Sequence, residues 1–156
     1  MEDDRFLFKT ANQRGVARLF AVQALYQMDI GRYGVLEVIA EYEKYRFGQE
    51  IDGDIYLKAD TGWFRKIMHG VVNNQKKIDS LVTSSLAEGW SLSRLDLIIR
   101  AILRAGCFEL LECTTIPAAV VISEYVEIAH AFFNKEEPKF VNAVLDKISC
   151  TLALKE

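Results

Sequence analysis

Two parts of the chain carry side chains whose types and spacing suit contacts with nucleic acid. Arg14 and Arg18 stand four residues apart, so on a helix they share one face. There they could face phosphates, or they could lie on an ordinary surface and pair with nearby acidic residues. Phe140 directly follows Lys139 and stands two residues before Asn142. Its ring could stack on a base beside a cation and an amide, or it could simply pack at the edge of a core.

Gln23 and Tyr26 are polar positions within the apolar segment AVQALYQ. Gln23 falls on the same helical face as Val16 and Leu19, so a buried amide at this position would need a hydrogen-bond partner. From the residues alone, ordinary core packing with one satisfied amide is sufficient to explain this pattern.

The sequence contains none of the short motifs that mark a catalytic or phosphate-binding loop. It has no G-x-x-x-x-G-K-[ST], no strand-bound G-x-G-x-x-G and no G-x-S-x-G. Glu124 and Glu127 lie three residues apart, a spacing typical of a solvated helix face rather than of a catalytic pair. The three cysteines lack C-x-x-C spacing, and both histidines are isolated. We therefore predict a protein that is not an enzyme and that has no catalytic residue, metal or cofactor.

The formal net charge of −3 limits how the chain could bind nucleic acid. An acidic domain lacks the general positive field that lets a basic protein hold RNA unaided. RNA binding would then need a local cationic patch, base stacking and a helper protein. The N-terminal segment MEDDRFLFK lacks the features of a signal peptide, and no apolar run is long enough to span a membrane. We therefore expect a cytoplasmic protein.

Apolar residues recur at helical spacing along most of the chain, and only two prolines interrupt them. Capping-box spacing relates Thr10 to Gln13 and Ser93 to Asp96, and Thr115 is a further candidate cap. The predicted helices cover about residues 12–28, 34–45, 59–84, 94–111, 116–133 and 138–154. We expect an all-α fold of six to seven helices, in which an N-terminal bundle (1–84) and a C-terminal bundle (85–156) pack together as one compact domain.

Three segments resemble motifs of the NusB family of bacterial transcription antitermination factors. The family's first-helix motif resembles residues 14–30, RGVARLFAVQALYQMDI, and its central motif resembles residues 100–111, RAILRAGCFELL. Its C-terminal signature resembles residues 121–148, VISEYVEIAHAFFNKEEPKFVNAVLDKI. The three matches keep the order and spacing of the family, which makes them more specific together than any single motif. Residues 31–58 carry little of this resemblance.

The resemblance implies two packed helical bundles and a role in transcription. Such a protein would bind the single-stranded boxA element of ribosomal-RNA transcripts as a heterodimer with the ribosomal protein NusE. The heterodimer would join an antitermination complex on RNA polymerase and assist ribosomal-RNA maturation. In the family the N-terminal arginine-rich segment and the start of the last helix lie on the RNA side. Carried over, this implies RNA-binding roles for Arg14, Arg18, Gln23, Tyr26, Lys139, Phe140 and Asn142.

The family's partner surface lies near the linker and the central helix. The corresponding candidates for binding NusE are Trp90, Arg94, Asp96 and Arg100, although the motif does not separate partner contacts from helix capping. Related proteins occur as monomers or homodimers, and a homodimer could cover the RNA-binding face.

The chain departs from the family pattern at Gly15 and Val16, where many members have further arginines. Arg5 and Lys9 in the N-terminal arm could compensate, or the affinity for RNA without the partner could be low. Two other functions stay open: a helical protein–protein adaptor without RNA binding, and a stand-alone relative of the RNA-binding domain of ribosomal-RNA cytosine methyltransferases. Arg104 and Glu109, within the apolar central helix, are predicted to be structural because charged residues in such a helix usually pair.

Overall fold

Seven α-helices form most of the regular structure in the part of the chain that is described. The computed structural model describes residues 13–31, 33–45, 50–51, 54–55 and 60–154. The helices are α1 (Gln13–Gly31), α2 (Val35–Tyr45), α3 (Thr61–Asn73), α4 (Gln75–Ser85), α5 (Leu97–Glu112), α6 (Ala118–Phe132) and α7 (Glu136–Leu154), with a 3-10 turn at Leu92–Arg94. A minimal antiparallel hairpin pairs β1 (Glu50–Ile51) with β2 (Asp54–Ile55). The prediction of an all-α fold is confirmed, apart from this hairpin.

Residues 1–69 form the first of two compact units. Aromatic packing holds α1, α2 and α3 together around buried Tyr42, whose ring stacks on Phe64 at 5.6 Å between centroids and meets Phe20 edge-on at 5.9 Å. Aromatic pairs at these separations contribute beyond their buried area. The N-terminal half of α1 is fixed by this core, which in turn fixes the direction of its arginines.

Residues 70–156 form the second unit, with α5 at its centre. This helix packs against α4, α6 and α7, and its middle residues, Ala101, Ile102, Leu103, Ala105 and Cys107, are completely buried. A helix that is apolar on nearly all sides is expected to be central in its domain, and the structure confirms this prediction. Burial raises the pKa of the Cys107 thiol to about 12, with a smaller contribution from the charge of Asp79. Its thiol therefore stays protonated near neutral pH and is a core group rather than a nucleophile.

Arg104 and Glu109 of the central helix both have partners, as predicted. Arg104 donates two hydrogen bonds to Asp79 on α4, at 2.9 Å and 3.1 Å. Glu109 is fully buried and accepts a hydrogen bond from the Tyr125 hydroxyl on α6. A buried charge without such partners would be strongly destabilising, so these contacts fix α4 and α6 against α5.

Several helix boundaries differ from the predictions, and the last helix begins at Glu136 rather than at Pro138. The expected single helix over 59–84 is broken at Asn74, whose side-chain amide and backbone N–H both donate to the Gly70 carbonyl, at 2.8 Å and 3.0 Å. The first helix continues past residue 28 and ends at a glycine, Gly31.

Asp96, not Ser93, caps the central helix, since its carboxylate accepts from the Ile98 and Ile99 amides at 2.8 Å and 3.3 Å. Pro117, not Thr115, precedes α6.

The division into units also differs from the predicted boundary after residue 84. Because α4 packs on α5 and α7, it belongs with the C-terminal helices, and the boundary falls inside α3. The capping pair of Thr10 and Gln13 and the compensating cations Arg5 and Lys9 involve residues outside the described ranges. Among the helices described, none combines the length and apolarity that a bilayer-crossing segment requires.

Candidate nucleic-acid interface

The first candidate region lies where α3 begins beside the start of α1. Asp60 caps α3, because one carboxylate oxygen accepts from the Trp63 backbone N–H at 2.9 Å. The Asp60 backbone N–H donates to the Gln13 carbonyl at 3.0 Å. These two hydrogen bonds fix the indole of Trp63 close to the first turns of α1.

Three cations of the described residues lie around the buried indole of Trp63. The Arg14 guanidinium carbon lies 4.1 Å from the ring centroid, the Lys66 ammonium 5.1 Å and the Arg18 guanidinium carbon 5.8 Å. A cation at these distances is attracted by the ring quadrupole, by about 0.5–2 kcal/mol depending on exposure. The two arginines therefore share one helix face, as their spacing predicts.

Only one of the two arginines is a surface cation. The Arg14 side chain is 51% exposed, and its Nε lies 3.7 Å from a carboxylate oxygen of Asp60, a loose ion pair. Arg18 is only 3% exposed. The expectation that both guanidinium groups face the surface is thus met by Arg14 alone. Gln23 and Tyr26, further along α1, are half-buried.

The second candidate region is an open pocket of about 350 Å³ at the start of α7. Lys139 and Asn142 line it together with His130 and Val126 of α6, and Lys135 and Pro138 complete its wall. Lys135, Lys139 and His130 give this pocket three groups that can donate hydrogen bonds to phosphate, and Asn142 can donate to or accept from a base edge. The first amides of α7 add positive potential on the same side of the helix start.

Phe140 is half-buried and is not among the residues that line this pocket. Lys139 and Asn142 stand three residues apart and share a helix face, whereas Phe140 projects about 100° from its neighbour Lys139. Phe140 and the pocket are therefore neighbouring features rather than one cavity.

The predicted partner-binding residues occupy the approach to α5. Trp90 is 52% exposed, a large apolar side chain that monomeric proteins usually bury. It follows Gly89, which has a φ of +88° that residues with a side chain rarely adopt. Arg94 donates to the Gly89 carbonyl at 3.1 Å and so braces this turn. Asp96 is occupied as a cap, and Arg100 is half-buried.

Several residues of these regions were not identified from the sequence. Trp63, Lys66 and Asp60 were missed because they lie more than forty residues from Arg14, and the segment DTGWFRK shows only a capping residue ahead of an aromatic and two cations. His130 and Lys135 were missed because each is isolated in the chain. No cluster of three or more potential metal ligands occurs among the residues described.

The sequence model of the NusB family matches residues 16–149 of this chain. The chain belongs to the NusB family. A transcription antitermination protein NusB of Allorhizobium ampelinum is 65% identical over 148 residues, which are 95% of this chain and 92% of the relative. The transcription antitermination protein NusB of Agrobacterium fabrum is 67% identical over 141 residues, which are 90% of this chain and 86% of the relative.

Solved structures of NusB proteins have the same fold. T. maritima NusB is 30% identical, with a TM-score of 0.74 over 90% of this chain and 93% of that one. A crystal structure of the antitermination factors NusB and NusE in complex with double-stranded RNA matches at 25% identity, with a TM-score of 0.74 over 89% of this chain and 97% of that one. Membership of the NusB family places the chain among transcription antitermination factors and not among enzymes.

Proposed function

We propose that this chain binds boxA RNA of ribosomal-RNA transcripts jointly with the ribosomal protein NusE, and so promotes antitermination and ribosomal-RNA maturation. The observation that carries the proposal is the likeness over almost the whole chain to a NusB that was crystallised with NusE and RNA. Transcripts and ribosomal proteins meet in the cytoplasm, so this function implies a cytoplasmic location and a final assembly with RNA polymerase.

The two candidate regions support RNA as the ligand. Arg14 is exposed beside Trp63, and Lys139, Lys135 and His130 line an open pocket with Asn142. The cations can hold phosphates and the Asn142 amide can contact a base edge, and a single strand requires both kinds of contact. Arg18, Gln23 and Tyr26 then act from within α1, by holding the helix that carries Arg14.

The charge of the chain indicates that a helper protein is needed for RNA binding. With a formal net charge of −3, long-range attraction to RNA is absent and only local contacts contribute. NusE would add contacts of its own and keep the RNA near these contacts. Trp90, Arg94, Asp96 and Arg100 are the residues proposed to face NusE, with exposed Trp90 as the anchor. A homodimer of this chain that covered the same residues would keep the free protein from binding.

We expect RNA binding to be weak for the chain alone and at least about tenfold tighter with NusE, a difference worth about 1.4 kcal/mol. Filter binding with a boxA-like single strand, at two salt concentrations, with and without NusE, measures this directly. A duplex of the same sequence, run in parallel, distinguishes single-strand from double-strand recognition. Equal affinity with and without NusE would contradict the proposed role of the partner.

A further inference from the structure

Lys66 lies near Trp63 like Arg14, but only Arg14 forms an ion pair with a carboxylate of the described residues. The neighbouring Arg65 is held by Glu43 through two hydrogen bonds, of which one is 2.7 Å long, and hydrogen bonding to Arg65 lowers the pKa of the Glu43 carboxyl. No carboxylate in the described ranges lies within ion-pair distance of Lys66. Lys66 is exposed, and its ammonium lies 5.1 Å from the centroid of the indole.

Arg14 is the second exposed cation on the same ring. Its guanidinium sits closer to the indole, at 4.1 Å, and its contact with Asp60 is long, at 3.7 Å. Two like charges that share one aromatic ring repel each other unless an anion lies between them or beside them. The described residues supply only the loosely placed Asp60 carboxylate to Arg14, so the arrangement favours an added anion.

The indole itself gives a second indication. Trp63 is 8% exposed, and its Nε1 is buried without a hydrogen-bond partner in the described part of the chain. A buried N–H that finds no acceptor is costly and uncommon in a native structure. Displacement of Arg14 or Lys66 toward a ligand would open the indole to an acceptor oxygen.

From these observations we infer that Arg14, Trp63 and Lys66 form a phosphate-binding site for the RNA backbone, in which the two cations hold one phosphate and Trp63 is the positioning residue. Asp60 then has two opposing effects: it caps α3 and places Trp63, and it competes with the phosphate for Arg14. This inference rests on the proposed function and extends it to a residue, Lys66, that no motif indicated.

The test is the salt dependence of RNA binding by the Lys66→Ala chain together with NusE. Loss of one phosphate contact to a single strand lowers the slope of log affinity against log salt by about 0.7. Raising the salt from about 50 to about 200 mM weakens RNA binding by both chains. The factor by which binding weakens should be roughly 2.6 times smaller for this variant than for the unmodified chain. Lys76→Ala, which removes another exposed lysine, is the matched control and should leave the slope unchanged.

A second variant reverses the direction of the effect. Asp60→Asn keeps a side-chain oxygen that can cap α3 but removes the negative charge beside Arg14. We expect RNA affinity to rise, roughly threefold, with the helix content unchanged. If Arg14, Trp63 and Lys66 had only a structural role, this variant would show no gain in RNA affinity.

The outcomes separate the two proposals. An unchanged salt slope in Lys66→Ala, with normal RNA binding by the unmodified chain, would overturn the phosphate site and leave the proposed function standing. Weaker binding by Asp60→Asn would overturn the site as well. Failure of the unmodified chain to bind RNA in the presence of NusE would overturn both.

Discussion

Replacing Lys139 and Phe140 together with alanine should weaken binding of boxA RNA by a factor of about 30 to 1,000. Loss of base stacking on an aromatic ring costs about 1–3 kcal/mol, and loss of a phosphate contact by Lys139 adds roughly 1 kcal/mol. Lys139 is exposed on the wall of the α7 pocket, and Phe140 is half-buried. Gel shifts with NusE present measure the change.

A matched control is available in the same two helices. Phe132 and Lys147 are an exposed aromatic on α6 and an exposed lysine on α7, so the Phe132→Ala/Lys147→Ala chain loses the same side-chain types outside the pocket. It should bind RNA normally. Binding of NusE should survive in both variants, which circular dichroism must also show to be folded.

This pair of variants also distinguishes the alternative adaptor function. If the chain only joined proteins, the Lys139→Ala/Phe140→Ala variant would bind NusE normally and the unmodified chain would show no RNA binding to lose. If both variants lost RNA affinity equally, the effect would be one of general charge and the pocket at α7 would not be the RNA-binding site.

Gly70→Ala should lower the free energy of unfolding by about 2 kcal/mol, although alanine is the better helix former. A Cβ at this position in α3 would lie 2.1 Å from Cε1 and 2.3 Å from Cζ of Phe108, a ring that is almost completely buried. Overpacking of this kind costs up to about 3 kcal/mol, against a gain in helix propensity of about 1 kcal/mol. Urea denaturation followed by circular dichroism measures the difference.

The control for this prediction lies in the same helix. Gly62→Ala places a Cβ 3.4 Å from the nearest atom, an Asp60 oxygen, and should leave stability unchanged or raise it by up to about 1 kcal/mol. The Gly70→Ala/Phe108→Leu chain should lose less free energy of unfolding than the two single variants lose in sum. The reason is that the smaller side chain at position 108 removes the clash. Additive effects in this cycle would show that Phe108 is not what excludes a side chain at Gly70.

The fold followed from the sequence wherever local patterns determine it. Apolar residues at helical spacing predicted the ends of α2 to within one residue and those of α6 to within two, and the apolar surface of α5 predicted its central position. The sequence predicted that Arg104 and Glu109 would each have a partner, since a charge in an apolar helix requires one. Which partner meets it was not predictable, because Asp79 is 25 residues from Arg104 and Tyr125 is 16 from Glu109.

The candidate site was predicted less completely, for the same reason. Motifs pointed to Arg14 and Lys139, but helical spacing alone could not show that Arg18 is buried while Arg14 is exposed. The ring that gathers the cations, Trp63, belongs to another helix, and its role depends on a cap at Asp60 that only the folded chain places beside α1. The break at Asn74 was not predicted either, because apolar residues recur at helical spacing on both sides of it.

A single gel-shift comparison tests the central claim most directly: the chain with NusE, titrated against a boxA-like single-stranded RNA and against the same nucleotides in scrambled order. Joint recognition of boxA predicts a ternary complex that forms with the boxA-like strand at a protein concentration at least about tenfold lower than with the scrambled strand. Equal shifts of both RNAs, or no shift of either at concentrations where NusE itself is bound, would contradict it.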